Sequence, residues 1–429
     1  MIWSKYNYLF KSKKHGYLLF NALSNVFLQL ADESYLEILK IRDSPEKFKS
    51  YQNADELEEY KIIVENDFDD INILKMKRIS YRHRKDFLSL IIIPTLNCNF
   101  KCIYCFENAE RKTITEETEK DIVAFIMSFK SLKQLSITWY GGESLMAFDR
   151  IVSITRKIED CAIQFESTLI TNGYLLNKRK ILQLENLSIK AIQITLDGLE
   201  EAHDLRRPLQ SRKGTFNVIV KNLSLIFSNS KNIRVLIRVN IDKSNVEEYH
   251  KVYEFLSKTF LTDKLIIYPG FIDKFNDSSC NSISCLADNR EKGAFLIDQY
   301  HKYKIYDNNL FPSLKYNTCA ARNLNSFVIG PSGEIYKCLC VVGDEKMEIG
   351  HLASEDTNGQ KVLARFLIDA DYNEDIECNN CFYFPICDGG CSFQRINKKY
   401  FNDKINTCTF IKDNLEEFLE IHFESKNGL

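Results

Sequence analysis

Short apolar runs alternate with longer amphipathic segments between residues 88 and 270. The short runs predict buried strands, and the longer segments, with apolar positions every three or four residues, predict helices. The predicted strands are Leu88–Thr95, Leu135–Tyr140, Ser167–Thr171, Ala191–Leu196, Arg234–Ile241 and Leu265–Tyr268. The predicted helices are Thr113–Leu132, Phe148–Cys161, Lys178–Leu187, Thr215–Phe227 and Val246–Phe260. This alternation predicts an α/β fold, a partial (β/α)6 barrel of parallel strands with right-handed crossovers.

The first of these helices carries a start signal. Thr113 and Glu116 have the spacing of a capping box, in which the threonine side chain would accept from the first turn. We therefore expect the helix to begin at Thr113.

The segments on either side of the barrel have a different pattern. Tyr6–Phe10 and Tyr17–Leu30 predict a strand pair, and helical patterns follow near Glu33–Ile41 and Asp55–Val64. Residues 271–318 are polar and irregular apart from a predicted helix near Gly293–Lys302. We predict four parts, which are a small N-terminal α+β domain (1–87), the barrel (88–275), a bridging region (276–318) and a loop-rich C-terminal domain (319–429).

Composition narrows the class of protein. The 429 residues have a net charge of −2, which does not favour a nucleic-acid partner. No apolar run approaches a membrane span, and the N-terminus lacks the pattern of a signal peptide, so we expect a cytoplasmic protein without a membrane partner. In a reducing compartment, 14 cysteines at short spacings favour metal ligation over disulfides.

Three of these cysteines directly follow the first barrel strand. Cys98, Cys102 and Cys105 form a C-x3-C-x2-C pattern, which we call the first cysteine array. Three thiolates are one ligand short of a four-iron cluster, so one iron would stay open to bind another molecule.

Polar loops follow the next three strands. They are Gly141-Gly142-Glu143, Asn172-Gly173 and Asp197-Gly198. Any one of them has an alternative interpretation as a turn or a cap. Because each loop follows the C-terminal end of a successive strand, where the active sites of such barrels lie, together they favour one site.

A second cysteine block lies near the C-terminus and indicates a metal framework, with zinc as the first alternative. Cys161 is interpreted instead as a helix-packing thiol. The block consists of Cys319, Cys338, Cys378, Cys381, Cys387, Cys391 and Cys408.

With both blocks in view, the chain resembles the radical S-adenosylmethionine (SAM) enzymes that carry a C-terminal SPASM domain. The first array has the family's spacing, with Tyr104 before the last cysteine, and the second block has the seven-cysteine SPASM spacing. The resemblance implies a [4Fe-4S] cluster on the first array and SAM chelated to its open iron. It also implies that Gly141, Gly142 and Glu143 hold the methionine group and that Thr195 contacts SAM. Tyr104, Asn172 and Asp197 would line the same rim.

The resemblance also implies a reaction. A reduced cluster would cleave SAM to methionine and a 5′-deoxyadenosyl radical, which abstracts hydrogen from the substrate. An electron donor such as flavodoxin or ferredoxin would supply the electron.

Two auxiliary clusters are implied in the same way. Cys319, Cys338 and Cys391 would hold one, with its fourth ligand left open among Cys340, Cys285, Cys280 or no protein ligand. The other would use four cysteines, which we call the cysteine quartet. They are Cys378, Cys381, Cys387 and Cys408.

Family members mostly modify peptides or proteins, so we expect a precursor peptide with a leader sequence, and a thioether or carbon–carbon crosslink. Leu339 stands where the sulfatase-maturing branch has an aspartate base, which argues against formylglycine formation. Residues 1–87 are similar in order and size to leader-binding domains. The alternatives are a radical SAM dehydrogenase acting on a protein side chain or a small molecule and, less favoured, a non-catalytic iron–sulfur scaffold.

Overall fold

A computed structural model describes residues 1–51, 53–107, 111–273, 285–286, 289–307, 310–316, 319–354 and 359–428. The chain forms two compact units. The first comprises Met1–His83, Asp288–Cys319 and Asp369–Leu429, and the second comprises Arg84–Ala287 and Ala320–Ile368. The division of the sequence at residues 87, 275 and 318 stays a prediction.

The strands are β1 (Ile2–Trp3), β2 (Asn7–Ser12), β3 (Gly16–Asn21), β4 (Phe27–Leu30), β5 (Ile63–Val64), β6 (Phe87–Ile92), β7 (Gln134–Trp139), β8 (Phe165–Thr171), β9 (Ile189–Thr195), β10 (Arg234–Ile241), β11 (Leu265–Phe271), β12 (Ser326–Ile329), β13 (Glu334–Tyr336) and β14 (Gly350–His351). The α-helices are α1 (Asp32–Asp43), α2 (Ala54–Glu59), α3 (Asp67–Arg82), α4 (Glu116–Ser128), α5 (Phe148–Asp160), α6 (Lys178–Leu184), α7 (Glu200–Arg206), α8 (Phe216–Asn229), α9 (Glu248–Thr259), α10 (Asn289–Tyr303), α11 (Gln360–Ala364), α12 (Ile376–Asn379), α13 (Ser392–Tyr400) and α14 (Leu415–Asn427). None of the helices in the described ranges is long and apolar enough to cross a bilayer.

The second unit is built on one nine-stranded sheet. Strands β6 to β11 lie side by side in chain order, and every neighbouring pair among them is parallel. Because each crossover advances in the same direction and with the same hand, the connecting helices lie on one face, as in a partial barrel. The predicted parallel α/β architecture is confirmed.

The sheet extends beyond the predicted strands. Strand β12 pairs in parallel with β6, and β13 and β14 follow in antiparallel order. These strands place residues 326–351 in the same unit as the barrel.

The barrel core follows the two expected periodicities. On β10, Val235, Ile237, Val239 and Ile241 are fully buried while the residues between them are half-buried. On α8, an apolar stripe that includes Leu223 is also completely buried.

The predicted start of the first barrel helix is wrong by a few residues. Helix α4 begins at Glu116, and its cap is Thr115, whose side chain accepts from the backbone of Thr118. Thr113 is bonded elsewhere, because its hydroxyl lies 2.8 Å from that of Thr95 at the base of the first cysteine array. Sequence reasoning also missed α7.

The first unit combines the N-terminal residues with the C-terminal cysteine loops. Strands β2, β3 and β4 form an antiparallel sheet, and β1 pairs with β5. The predicted strand pair is therefore a three-stranded sheet, because Tyr17–Leu30 divides into β3 and β4. Its core includes Leu19, Ile41 and Phe48.

Helix α3, which the sequence analysis missed, joins these parts through buried cations. Arg78 is fully buried and donates to the carbonyl oxygens of Lys315, Phe384 and Pro385 at 3.0, 2.9 and 3.2 Å. Arg82 forms a 2.8 Å ion pair with Asp371. The loop that carries the cysteine quartet is thus held by residues near position 80.

Candidate active site

A cavity of ≈ 190 Å³ lies in the barrel unit at the C-terminal ends of the parallel strands. All three cysteines of the first array open onto it, together with the loops after β7 and β8. The predicted site residues on its wall are Cys98, Cys102, Tyr104, Cys105, Gly141, Gly142, Asn172 and Thr195. Glu143 and Asp197 are not on the wall but support it from behind.

The thiols of the first cysteine array stay protonated unless they bind a metal. Burial raises the pKa of Cys98 to about 12 and that of Cys105 to about 11, and burial also raises the pKa of Cys102. A thiol with such a pKa is protonated at neutral pH, so iron binding would release protons.

Gly141 and Gly142 allow two loops to touch. The Gly142 amide donates to the Thr95 carbonyl at 3.1 Å, and the Glu143 amide donates to the Asn97 carbonyl at 2.8 Å. A Cβ on Gly142 would lie 2.5 Å from the carbonyl oxygens of Leu96 and Asn97. The glycines are therefore required by the backbone that leads into the cysteine array.

The Glu143 carboxylate ties β7 to β8. It is 1% exposed and accepts from the Thr171 hydroxyl at 2.6 Å, from the Asn172 amide at 2.7 Å and from the Leu145 amide at 3.0 Å. Burial raises its pKa although these bonds oppose the shift. Its predicted contact with the methionine group of SAM stays a prediction.

Asn172 connects the third strand to the array. Its side-chain amide donates to the Asn99 side chain at 2.8 Å, inside the loop between Cys98 and Cys102. Thr195, at the end of β9, is 8% exposed on the cavity wall.

A polar network surrounds Tyr104. Its hydroxyl donates to Asp197 Oδ2 at 2.5 Å, and it accepts from Asn240 at 2.9 Å and from Arg207 at 2.5 Å. Arg206 approaches the same carboxylate oxygen at 3.4 Å. Asp197 is fully buried and holds the tyrosine of the array in place.

Arg207 is a site residue that the sequence analysis missed. It lines the cavity, is 8% exposed, and its Nε has no hydrogen-bond partner within the described part of the protein. Its Nη1 donates to the Tyr104 hydroxyl at 2.5 Å, so the guanidinium is a fixed cation on the cavity wall.

Other wall residues were also missed. Arg238 and Asn240 lie at alternate positions on β10, on either side of the fully buried Val239. That alternation of polar and apolar residues was a usable signal. Glu107 bonds to Tyr140 on the wall, and burial raises its pKa to about 7.

The first unit contains a second cavity, of ≈ 130 Å³, that all four cysteines of the quartet line. Four thiolates are the number of ligands that a four-iron cluster takes, and ligation by the quartet stays a prediction. No group of three or more His, Cys, Asp or Glu in the described ranges is arranged to hold a single metal ion.

The remaining cysteines have varied surroundings. Cys319 accepts a 3.2 Å bond from the Ser392 hydroxyl, and Cys391 precedes α13. A hydrogen bond with Cys340, together with burial, raises the pKa of Cys338 well above the usual value. Shared ligation by Cys319, Cys338 and Cys391 stays a prediction.

Among the alternatives for the fourth ligand, Cys285 is described and Cys280 is not. Cys285 is buried and disulfide-bonded, so it is not free to ligate in this structure. Cys280 lies outside the described residues. Cys161 directly follows α5 and donates to the Lys157 carbonyl at 3.3 Å, and its interpretation as a helix-packing thiol stays a prediction.

Comparison with known proteins finds a matching domain in the middle of the chain. Residues 92–256 match the family model of the Radical SAM superfamily, and this range holds the first array and the Gly-Gly-Glu loop. The chain carries a radical SAM domain, and proteins with this domain are enzymes that use a [4Fe-4S] cluster and SAM.

Three relatives illustrate the range of similarity. The chain is 26% identical to a "Cysteine-type anaerobic sulfatase-maturating enzyme" of Clostridium novyi, over 71% of this chain and 87% of that protein. The structure of anSMEcpe with bound AdoMet and the Cp18Cys peptide matches with a TM-score of 0.61 and 20% identity, over 79% of this chain and 97% of that one. Streptococcus suis SuiB bound to precursor peptide SuiA matches with a TM-score of 0.53 and 18% identity, over 95% and 98%. The likeness to the two solved structures shows the fold.

Proposed function

We propose that this protein is a radical SAM peptide maturase that crosslinks a ribosomally made precursor peptide. The observation that supports this most is that the first cysteine array, the Gly-Gly loop and Arg207 line one cavity. When bound there, the cluster and SAM supply a 5′-deoxyadenosyl radical that abstracts hydrogen from the substrate.

The chain's own residues bind and orient these groups. The first array would hold the cluster, and Arg207 would donate to an acceptor group of SAM. Tyr104, fixed by Asp197 and Asn240, would form part of the wall of the SAM site. Glu143 and Asn172 connect the ends of the strands and hold the loops around the cavity.

The share of this chain that each solved structure matches supports a peptide substrate with a leader. The anSMEcpe structure leaves about a fifth of this chain unmatched, a share similar in size to residues 1–83, whereas SuiB matches 95% of it. SuiB was solved with a precursor peptide. Leu339, in place of an aspartate base, also favours crosslinking over formylglycine formation.

Strand β4 is the proposed docking edge for the leader. It is the last strand of the β2–β3–β4 sheet, and among the described strands it pairs only with β3. Its face is supported by Phe311 and Phe423, which pack around Phe27. An exposed edge binds an extended peptide through backbone hydrogen bonds.

The edge can be tested with proline, which removes one backbone donor. Because backbone donors alternate along a strand, one of Leu28→Pro and Gln29→Pro loses an outward N–H. We expect that variant to bind a synthetic leader at least about tenfold more weakly, while SAM cleavage without peptide is unchanged. Gln29→Ala, which keeps the N–H, is the matched control. Parental leader affinity in both proline variants would rule out this edge.

The crosslink itself is tested by mass spectrometry of a precursor encoded beside this gene. We expect the peptide to lose two hydrogens per crosslink in the presence of SAM and a reductant, and to stay unchanged with the Cys98→Ala, Cys102→Ala, Cys105→Ala variant. Deoxyadenosine formation with every neighbouring peptide unchanged would favour the dehydrogenase alternative, with a small molecule as substrate.

A further inference from the structure

The cysteine quartet has a cationic neighbour that its proposed function does not use. Arg395, on α13, donates through Nη2 to the sulfur of Cys378 at 3.1 Å. This hydrogen bond brings a permanent cation into direct contact with a sulfur of the quartet. Its side chain is only 11% exposed.

The guanidinium is fixed on all three of its nitrogens. Nε donates to the Gly389 carbonyl at 2.5 Å, and Nη1 donates to Asp375 Oδ2 at 3.0 Å. A planar fork held in this way keeps its third donor aimed at one atom. Lysine, with a single flexible ammonium, has no equivalent geometry.

Asp375 completes the arrangement. While Oδ2 accepts from Arg395, Oδ1 accepts from the Cys378 backbone amide at 3.1 Å and caps α12. One residue pair therefore fixes Cys378 both at its backbone and at its sulfur. The carboxylate also offsets part of the arginine's charge.

We propose that Arg395 is a positioning residue that raises the reduction potential of the cluster held by the cysteine quartet. The inference rests on the proposed function, because it requires a cluster at the quartet. A hydrogen bond from a cation to a ligand sulfur stabilises the electron-rich form, so the oxidised cluster takes up one electron more readily. Such a cluster is suited to accept the electron that remains after hydrogen abstraction.

Two variants of the full-length, reconstituted protein test this. Arg395→Gln removes the cation, so one reduction step followed by electron paramagnetic resonance should move to lower potential, by at least about tenfold in the reduction equilibrium, or about 59 mV. Arg395→Lys keeps the charge but loses the planar fork, so the same step should move in the same direction by a smaller amount. Arg42→Gln, an equal charge change on the exposed face of α1, should shift nothing.

The outcomes separate the inference from the function. Unshifted potentials in both variants at parental iron content would overturn the role of Arg395 and leave the cluster assignment intact. If Arg395→Gln loses the cluster, Arg395→Lys decides alone, and the absence of a downward shift overturns the inference. A parental protein without any iron at the quartet would instead contradict the proposed function of that site.

Discussion

At the residue scale, the site depends on side chains that bring distant backbone segments together. Gly142 lets the loop after β7 touch the backbone before Cys98, and Glu143 then fixes the end of β8. Tyr104 is held by Asp197 and Asn240. The first cysteine array is thus positioned by residues that lie outside its own sequence motif.

Gly142→Ala tests the close approach. The added Cβ would lie 2.5 Å from two carbonyl oxygens, so the loop before Cys98 must move. We expect the reconstituted variant to contain about four fewer irons than the parent and to bind SAM at least about tenfold more weakly. Iron analysis and equilibrium binding measure these.

The control for that substitution is Gly350→Ala. A Cβ at Gly350 meets nothing within 4 Å, so its iron content and SAM affinity should stay parental. Parental values in Gly142→Ala as well would show that the close approach is not required.

The grouping of the first cysteine array around one cavity and of the cysteine quartet around another could be predicted from the sequence, because both groups are marked by local spacing. The roles of Arg207 and Arg395 could not, because the residues that they contact are distant in the sequence. Arg207 is adjacent to Arg206, which is also buried, and only the structure shows which of the two lines the cavity.

At the element scale, hydrophobic periodicity predicted the strands of the barrel. It did not predict helix α3, whose buried face carries charged residues. The predicted bounds of β10 match the structure. Helix α3 was missed because Arg78 and Arg82 are on its buried face while Phe68 and Met76 are exposed, at 72% and 59%. That pattern is the reverse of an ordinary amphipathic helix.

Arg78→Met tests what α3 does. The substitution leaves the carbonyl oxygens of Lys315, Phe384 and Pro385 without this donor, and each buried unpaired group costs about 1–3 kcal/mol. We expect unfolding of the first unit to require at least about 3 kcal/mol less, with about four irons lost and SAM binding retained.

Arg42→Met is the matched control, since Arg42 is 47% exposed and its change should be neutral in both measurements. Chemical denaturation and iron analysis give the two readouts. Full iron content and parental stability in Arg78→Met would contradict a supporting role for α3.

At the scale of the whole molecule, the chain is organised differently from its linear order. Residues 1–83 and 369–429 belong to one compact unit, so the proposed leader domain shares its fold with the cysteine quartet. Removing the N-terminal residues would therefore also remove Arg78 and Arg82. Point substitutions on β4 separate leader binding from cluster stability where truncation would not.

The measurement that tests the central claim most directly is anaerobic. The protein is reconstituted with iron and sulfide, its iron is counted, and dithionite and SAM are added. The proposed function predicts about twelve irons per chain and the formation of 5′-deoxyadenosine, which the Cys98→Ala, Cys102→Ala, Cys105→Ala variant should lack. Iron-loaded protein that forms no deoxyadenosine, even with a precursor peptide present, would contradict the account and favour a non-catalytic iron–sulfur scaffold.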